Sequence, residues 1–139
     1  MKALTFLDSN VLVYADDAAA GAKQKRCRTV IENLIAEGRL VISTQVIAEY
    51  FSVASRKLRL PFEEIRERIE FYSQLQVVVV VPPLILEAAD LHRAASISFW
   101  DALILTAARA AGCSLVVSED LAHGQSFDGV RVESPFARA

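Results

Sequence analysis

Residues 5–15 read TFLDSNVLVYA, and an acidic residue stands where a strand pattern changes into a helix pattern. The apolar run Leu4–Leu7 predicts a buried strand, and apolar residues resume at Val11. Asp8 lies between the two, although aspartate is disfavoured in strands. Asp8 or Ser9 could simply cap the helix that follows. Alternatively, the strand end delivers a carboxylate to a functional site.

Short apolar strands alternate with helix patterns along the rest of the chain. The predicted strands are Leu4–Leu7, Leu40–Ile42, Val77–Val81, Leu115–Val117 and Val130–Val132. The predicted helices run from Val11 to about Ala18, over Lys23–Glu37, from Ser43 or Thr44 to about Leu58, over Phe62–Gln74, from Pro83 to about Ala95, and over Ser98–Gly112. We expect an α/β three-layer sandwich with a mostly parallel central sheet of four to five strands flanked by helices.

Length and composition exclude several classes of protein. A chain of 139 residues with 53% hydrophobic residues and no linker or low-complexity tract predicts one domain, residues 1–139. The apolar stretches are too short for a signal peptide or a membrane span. Two distant cysteines, Cys27 and Cys113, make no disulfide framework, so we expect a cytoplasmic location.

Three further acids occupy positions that surface placement alone does not explain. Glu49 falls on the apolar face of the predicted helix, between Val46 and Val53, where it either reaches water at the edge or needs a cation. Asp101 lies three residues after Ser98, which is the spacing of a capping box. Capping and metal binding are compatible, because capping uses only part of the acceptor capacity of a carboxylate.

Asp120 follows the predicted strand Leu115–Val117, much as Asp8 follows the first strand. Ligands of open parallel sheets bind beyond the carboxyl ends of the strands, so we expect both acids at one edge of the sheet. Glu119 is an alternative to Asp120, because neighbouring side chains point in different directions. Asp16, by contrast, is predicted to be a surface acid.

Four segments together resemble the PIN-domain nucleases, and most of all the toxins of the virulence-associated toxin–antitoxin pairs (VapC toxins). They are FLDSNVLVYA (6–15), STQVIAEYF (43–51), SFWDALI (98–104) and LVVSEDL (115–121). The resemblance spans nearly the whole chain, from Leu4 to Phe136. It implies a metal-binding acidic site of Asp8, Glu49, Asp101 and Asp120, with Asn10 and Ser118 holding the acids by hydrogen bonds.

The resemblance further implies an endoribonuclease that cleaves RNA with metal-activated water. Carboxylates without nearby cysteine or histidine suit Mg²⁺ or Mn²⁺. We expect Asp8 and Asp101 to be the most direct ligands, with Glu49 and Asp120 acting through water. The number of ions, one or two, and the RNA sequence that is cut stay open.

The implied partners are an RNA substrate, a cognate antitoxin protein and a second copy in a homodimer. Without the four acids the chain has 13 acidic against 15 basic residues, a mildly basic remainder that suits RNA. We expect the antitoxin to cover the helices Lys23–Glu37 and Ile47–Leu58, whose aromatic residues include Tyr50 and Phe51.

Two alternative functions remain possible from the sequence. One is a non-catalytic PIN-fold module that only binds RNA or protein. The other is a metal-free ribonuclease that uses His92 and His123 as acid and base.

Overall fold

The computed structural model describes residues 3–137, and strands alternate with helices along them. The strands are β1 (Thr5–Leu7), β2 (Leu40–Ser43), β3 (Gln76–Val78), β4 (Leu115–Val117), β5 (Ser126–Phe127) and β6 (Val130–Glu133). The helices are α1 (Ser9–Ala15), α2 (Ala22–Ala36), α3 (Thr44–Arg56), α4 (Phe62–Ser73), α5 (Pro82–Ala95) and α6 (Phe99–Ala110), with a short 3₁₀ turn at Ala18–Ala20.

One sheet joins the strands in the order β3-β2-β1-β4-β6-β5. All neighbours are parallel except the edge strand β5, which is antiparallel to β6. This arrangement confirms the predicted α/β fold with a mostly parallel sheet between helices. The described sheet has six strands rather than four to five.

The central position of β1 determines where the site can form. It pairs with β2 on one side and with β4 on the other, and Leu7 lies opposite Val117. The strand is buried throughout because helices cover both faces of the sheet. The carboxyl ends of these strands therefore meet at one edge, where Asp8 and Ser118 follow β1 and β4 directly and Ser43 ends β2.

Three elements differ from the sequence predictions. Helix α1 spans Ser9–Ala15 instead of Val11 to about Ala18, and Ala18–Ala20 form a separate 3₁₀ turn. Strand β3 ends at Val78 instead of Val81, since Pro82 begins a helix shortly afterwards. Strand β5 was not predicted because it has only two residues. It pairs with β6 across a turn in which Asp128 and Gly129 have φ values of 49° and 85°. Asp-Gly with two positive φ angles is the signature of a type I′ hairpin, so a local signal for this strand was available.

Both cysteines are free and buried, and burial raises the pKa of each thiol to about 11. Such thiols stay protonated near neutral pH and are poor nucleophiles. Among residues 3–137, no helix has the length and apolar character required to cross a membrane.

Candidate active site

Asp8 is a buried carboxylate that caps α1 and lies at the edge of the sheet where β1, β2 and β4 end. Only 5% of the residue is exposed. Its Oδ1 accepts a hydrogen bond from the backbone N–H of Ser9 at 2.7 Å, and its Oδ2 accepts one from the Ser118 hydroxyl at 2.7 Å. The capping interpretation is therefore correct, but capping uses only one of the two oxygens.

The electrostatic environment of Asp8 is unfavourable for its negative charge. Burial is the main cause that raises the pKa of Asp8 to about 6, and the charges of Glu49 and Asp120 raise it further. The two hydrogen bonds act in the opposite direction but are outweighed. Asp8 forms no ion pair with a cationic side chain of the described residues. A bound cation would stabilise the ionised form.

Asn10 and Ser118 connect Asp8 to Asp120. The Asn10 Nδ2 donates to Asp120 Oδ2 at 3.2 Å and to Ser118 Oγ at 3.3 Å, while its Oδ1 accepts from the Glu119 N–H. Ser118 Oγ also accepts from the N–H groups of Asp120 and Leu121. The loop after β4 is thus held against the first turn of α1.

Glu49 reaches the same network from α3. Its Oε1 accepts from the Ser9 hydroxyl at 3.1 Å, and its Oε2 accepts from Gln45 Nε2 at 3.3 Å. The side chain is partly buried. Gln45 Nε2 also donates to the carbonyl oxygen of Trp100 at 3.2 Å, which ties α3 to the first turn of α6 beside Asp101.

Asp101 lies outside this network. Its backbone N–H donates to Ser98 Oγ at 3.0 Å, so Ser98 caps α6 as expected. Within residues 3–137 its carboxylate has no hydrogen-bond or ion-pair partner. The same part of the chain contains no group of three or more acidic, histidine or cysteine side chains gathered closely enough to hold one metal ion.

The residues of this edge nevertheless fit a hard divalent cation. All candidate ligands are oxygens, and Mg²⁺ uses one or two carboxylates while keeping several of its waters. Acids beyond direct coordination distance can therefore act through those waters. The Oε1 of Gln45 is buried and has no hydrogen-bond donor among the described residues, so a coordinated water could supply one.

Glu119 points away from Asp8. Its carboxylate accepts from the Tyr14 hydroxyl at 2.6 Å and from Lys23 Nζ at 2.9 Å, contacts that lower its pKa. Asp120 is the member of the pair that contacts Asn10.

The prediction that Asp16 is a surface acid is wrong. The residue is buried, its Oδ2 accepts from the Tyr50 hydroxyl at 2.6 Å, and its Oδ1 pairs with Arg68 Nη1 at 2.9 Å. Tyr50 is itself fully buried, so of the two aromatic residues expected on the antitoxin surface only Phe51 is exposed. No local pattern indicates this cluster, because its three members lie far apart in the chain.

Sequence reasoning also missed Ser9 and Gln45, which hold the two oxygens of Glu49. For Gln45 a signal existed, because residues four apart share one face of a helix. The contact of Ser9 with α3 depends on the packing of distant segments.

Residues 5–125 match the PIN domain family. A toxin–antitoxin complex from Klebsiella pneumoniae is similar over 95% of this chain and 98% of its own, with 15% identity and a TM-score of 0.70. VapC20 of Mycobacterium tuberculosis, a toxin that cleaves the sarcin–ricin loop, is similar over 81% of this chain and 86% of its own, with 20% identity and a TM-score of 0.59. DNA-bound VapBC from Salmonella typhimurium is similar over 96% of this chain and 99% of its own, with 21% identity and a TM-score of 0.68. No curated protein matches the sequence.

Proposed function

Because this chain belongs to the PIN-domain family, we propose that it is a metal-dependent endoribonuclease and the toxin of a toxin–antitoxin pair. The observation that carries the proposal is the environment of Asp8. This carboxylate is buried, forms no ion pair with a cation of the described residues, and lies near enough to Glu49 and Asp120 for their charges to raise its pKa. In this proposal residues 1–139 form a single nuclease domain that acts in the cytoplasm.

Asp8 and Asp101 would hold Mg²⁺ or Mn²⁺, and Glu49 and Asp120 would act through coordinated water. When bound, the ion lowers the pKa of a water molecule and so supplies the nucleophile for phosphodiester hydrolysis. In-line attack by water leaves 5′-phosphate and 3′-hydroxyl ends.

The chain's own contribution is orientation. The Ser118 hydroxyl and the Ser9 N–H each donate to one oxygen of Asp8, which fixes the plane of that carboxylate. Asn10 holds Asp120 towards the same edge, and Gln45 and Ser9 hold Glu49. Such contacts from behind a ligand set its direction and are required for full activity in metal sites.

A specific observation favours a second candidate, a non-catalytic PIN-fold module that binds RNA or protein. The Asp101 carboxylate does not contact the network around Asp8, and no three acids of residues 3–137 converge on one point. A site that never assembles would bind without cleaving.

A chelation experiment separates these functions. Purified protein is incubated with structured RNA in Mg²⁺ or Mn²⁺ and in excess EDTA, and the products are resolved on a denaturing gel. Cleavage that stops in EDTA supports the proposal. Cleavage that continues in EDTA favours the histidine mechanism, and binding without cleavage in any buffer favours the module.

The proposed partners are an antitoxin and a second copy of the chain. Solved structures of similar fold include a toxin–antitoxin complex and DNA-bound VapBC complexes, which supports an antitoxin here. Its segment would lie along α2 and α3, where Phe51 and the basic residues of both helices are exposed. Expression of the wild type alone should slow growth, and Asp8→Asn should relieve the effect. Normal growth at high levels of soluble wild type would contradict the toxin role.

A further inference from the structure

The side-chain amide of Gln45 is satisfied at one end and unpaired at the other. Its Nε2 donates to Glu49 Oε2 at 3.3 Å and to the carbonyl oxygen of Trp100 at 3.2 Å. Its Oε1 is buried, and among residues 3–137 no other buried side-chain nitrogen or oxygen lacks a hydrogen-bond partner. Buried acceptors are nearly always hydrogen-bonded, because an unmade bond destabilises the fold. The unpaired Oε1 therefore requires an explanation.

The two partners of Nε2 fix the orientation of this amide. Both contacted atoms, the Glu49 carboxylate oxygen and the Trp100 carbonyl oxygen, are hydrogen-bond acceptors. Turning the amide over would place Oε1 against these two acceptors and would lose both bonds. Oε1 consequently stays unpaired for as long as Nε2 connects α3 to α6.

Gln45 lies between the two parts of the proposed metal site. Glu49 belongs to the network around Asp8 through the Ser9 hydroxyl, whereas Asp101 lies outside that network. Trp100 directly precedes Asp101 in α6, so the Gln45 amide contacts Glu49 on one side and the backbone beside Asp101 on the other. Gln45 and Glu49 also line an open depression of about 640 Å³, through which an ion and its waters can approach.

The charges around the amide favour a donor that comes with a cation. Within residues 3–137, neither Glu49 nor Asp101 forms an ion pair with a basic side chain. Water coordinated to a divalent ion is a stronger hydrogen-bond donor than free water, because the ion polarises it. Such a water would satisfy Oε1, and its ion would compensate the neighbouring carboxylates.

We propose that Gln45 is a positioning residue of the metal site. Its Nε2 holds Glu49 and the first turn of α6 together, and its Oε1 accepts a hydrogen bond from a water coordinated to Mg²⁺ or Mn²⁺. The proposal rests on the proposed nuclease function and adds an uncharged residue to its four acids. It also gives a physical reason why Asp101 can act together with acids that it does not contact.

Two substitutions separate the two ends of the amide. Gln45→Met has a similar length but no strong hydrogen-bonding atom, and it should weaken Mn²⁺ binding by about 10- to 100-fold, as when a partner behind a metal ligand is lost. Gln45→Glu keeps an oxygen in place of Oε1 but turns a second oxygen towards Glu49. It should bind Mn²⁺ more tightly than Gln45→Met, yet melt at a lower temperature than Gln45→Met in EDTA, because like charges four residues apart on a helix repel.

Binding is measured from the electron paramagnetic resonance signal of free Mn²⁺, and melting by differential scanning fluorimetry in EDTA. Gln24→Met is the matched control. Gln24 is also partly buried, but it lies on α2 and its Nε2 donates to the carbonyl oxygen of Ala15 at 3.3 Å. We expect this variant to bind Mn²⁺ like wild type.

A role of Gln45 in packing alone would lower the melting temperature in EDTA and leave the affinity for Mn²⁺ unchanged. Equal Mn²⁺ affinities of wild type, Gln45→Met and Gln24→Met would therefore overturn the proposal and leave an ordinary water as the partner of Oε1. A Gln45→Glu variant that binds Mn²⁺ no better than Gln45→Met would also contradict it.

Failure of this inference is distinguishable from failure of the nuclease. Mn²⁺-dependent cleavage by wild type, with unchanged Mn²⁺ affinity of Gln45→Met, refutes the role of Gln45 alone. Mn²⁺ binding that depends on Gln45, without cleavage of RNA, supports that role and refutes the nuclease. Wild type that binds no Mn²⁺ would overturn both.

Discussion

The two ends of α1 carry two buried aspartates with opposite surroundings. Asp16, at the carboxyl end, accepts from the Tyr50 hydroxyl and pairs with the guanidinium of Arg68. Within residues 3–137, Asp8, at the amino end, has only neutral donors, the Ser9 N–H and the Ser118 hydroxyl, and its charged neighbours are acids. The helix dipole favours a negative charge at the amino end and opposes one at the carboxyl end.

The difference is the one expected between a structural carboxylate and the metal ligand that we propose. The carboxylate in the less favourable dipole position has its own cation, and the pair joins α1 to α4. The carboxylate in the better position has no ion pair among the described residues, and burial raises the pKa of Asp8 to about 6. Strain of this kind at a strand end is what a cation-binding site requires before its ion arrives.

The largest expected difference between the two aspartates is in catalysis. Asp8→Asn keeps the size and the cap but removes the charge, so RNA cleavage in Mg²⁺ should fall by at least ~100-fold, as when a well-placed electrostatic group is lost. Cleavage rates of purified proteins, checked for folding by circular dichroism, provide the measurement.

The control for that comparison is Asp90→Asn, because Asp90 is an exposed acid on α5 away from both carboxylates. It should cleave like the wild type. If Asp8→Asn also cleaves normally, Asp8 is only a helix cap and the proposed metal site loses its first ligand.

The second prediction is that the stability of wild type and the stability of Asp8→Asn depend differently on pH. In EDTA, the native state binds more protons at Asp8 than the unfolded chain between pH 4 and pH 6, because the folded pKa is the higher one. The stability that protonated Asp8 contributes is therefore present below pH 4 and is lost as pH rises through 6, by roughly 2–3 kcal/mol. Asp8→Asn lacks this loss and should melt at a higher temperature than wild type at pH 7.

Divalent metal should narrow that stability difference. Mg²⁺ or Mn²⁺ at about ten times its dissociation constant stabilises wild type by ~1.4 kcal/mol, roughly 5 °C in melting temperature, and does not stabilise Asp8→Asn. Differential scanning fluorimetry at pH 5 and pH 7, with EDTA or metal, gives all the values needed. Identical melting curves for the two proteins in every buffer would be inconsistent with a charged, cation-free Asp8.

At the other end of α1, removing the guanidinium of Arg68 should destabilise the fold by the same amount with and without divalent metal. Arg68→Met leaves the Asp16 charge buried without a cation and should lower the free energy of unfolding by about 2 kcal/mol, less than for a fully buried pair because Arg68 is 40% exposed. Urea denaturation measures the loss. Arg66→Met, two residues away with an exposed surface pair to Glu70, should change stability by about 0.5 kcal/mol or less.

The last expected difference concerns a single hydroxyl. Tyr50→Phe removes a hydrogen bond to a buried charge and should cost about 1.5 kcal/mol. Tyr72→Phe is matched, since Tyr72 is also buried and packs edge-on against Tyr50, with ring centroids 5.6 Å apart, but its hydroxyl has no hydrogen-bond partner among the described residues. An equal loss from both substitutions would show that ring packing, not the bond to Asp16, determines the effect.

The sequence by itself determined the architecture, because alternating apolar strands and helix patterns are local properties that only a sheet between helices can bury. It also placed Asp8 and Asp120 beyond two strands, since the polarity change after Leu7 and Val117 is visible in the letters. The caps at Asp8 and Ser98 follow from the same local chemistry.

Only the tertiary structure decided which carboxylates are paired with a cationic side chain. The sequence does not indicate that Asp16 is buried with a cation. Arg68, 52 positions further on, pairs with Asp16, whereas within residues 3–137 no cationic side chain pairs with Asp8. The direction of Glu119 likewise depends on its contacts with Tyr14 and Lys23. Charge compensation depends on distances between segments that are remote in the chain, and no local pattern encodes those distances.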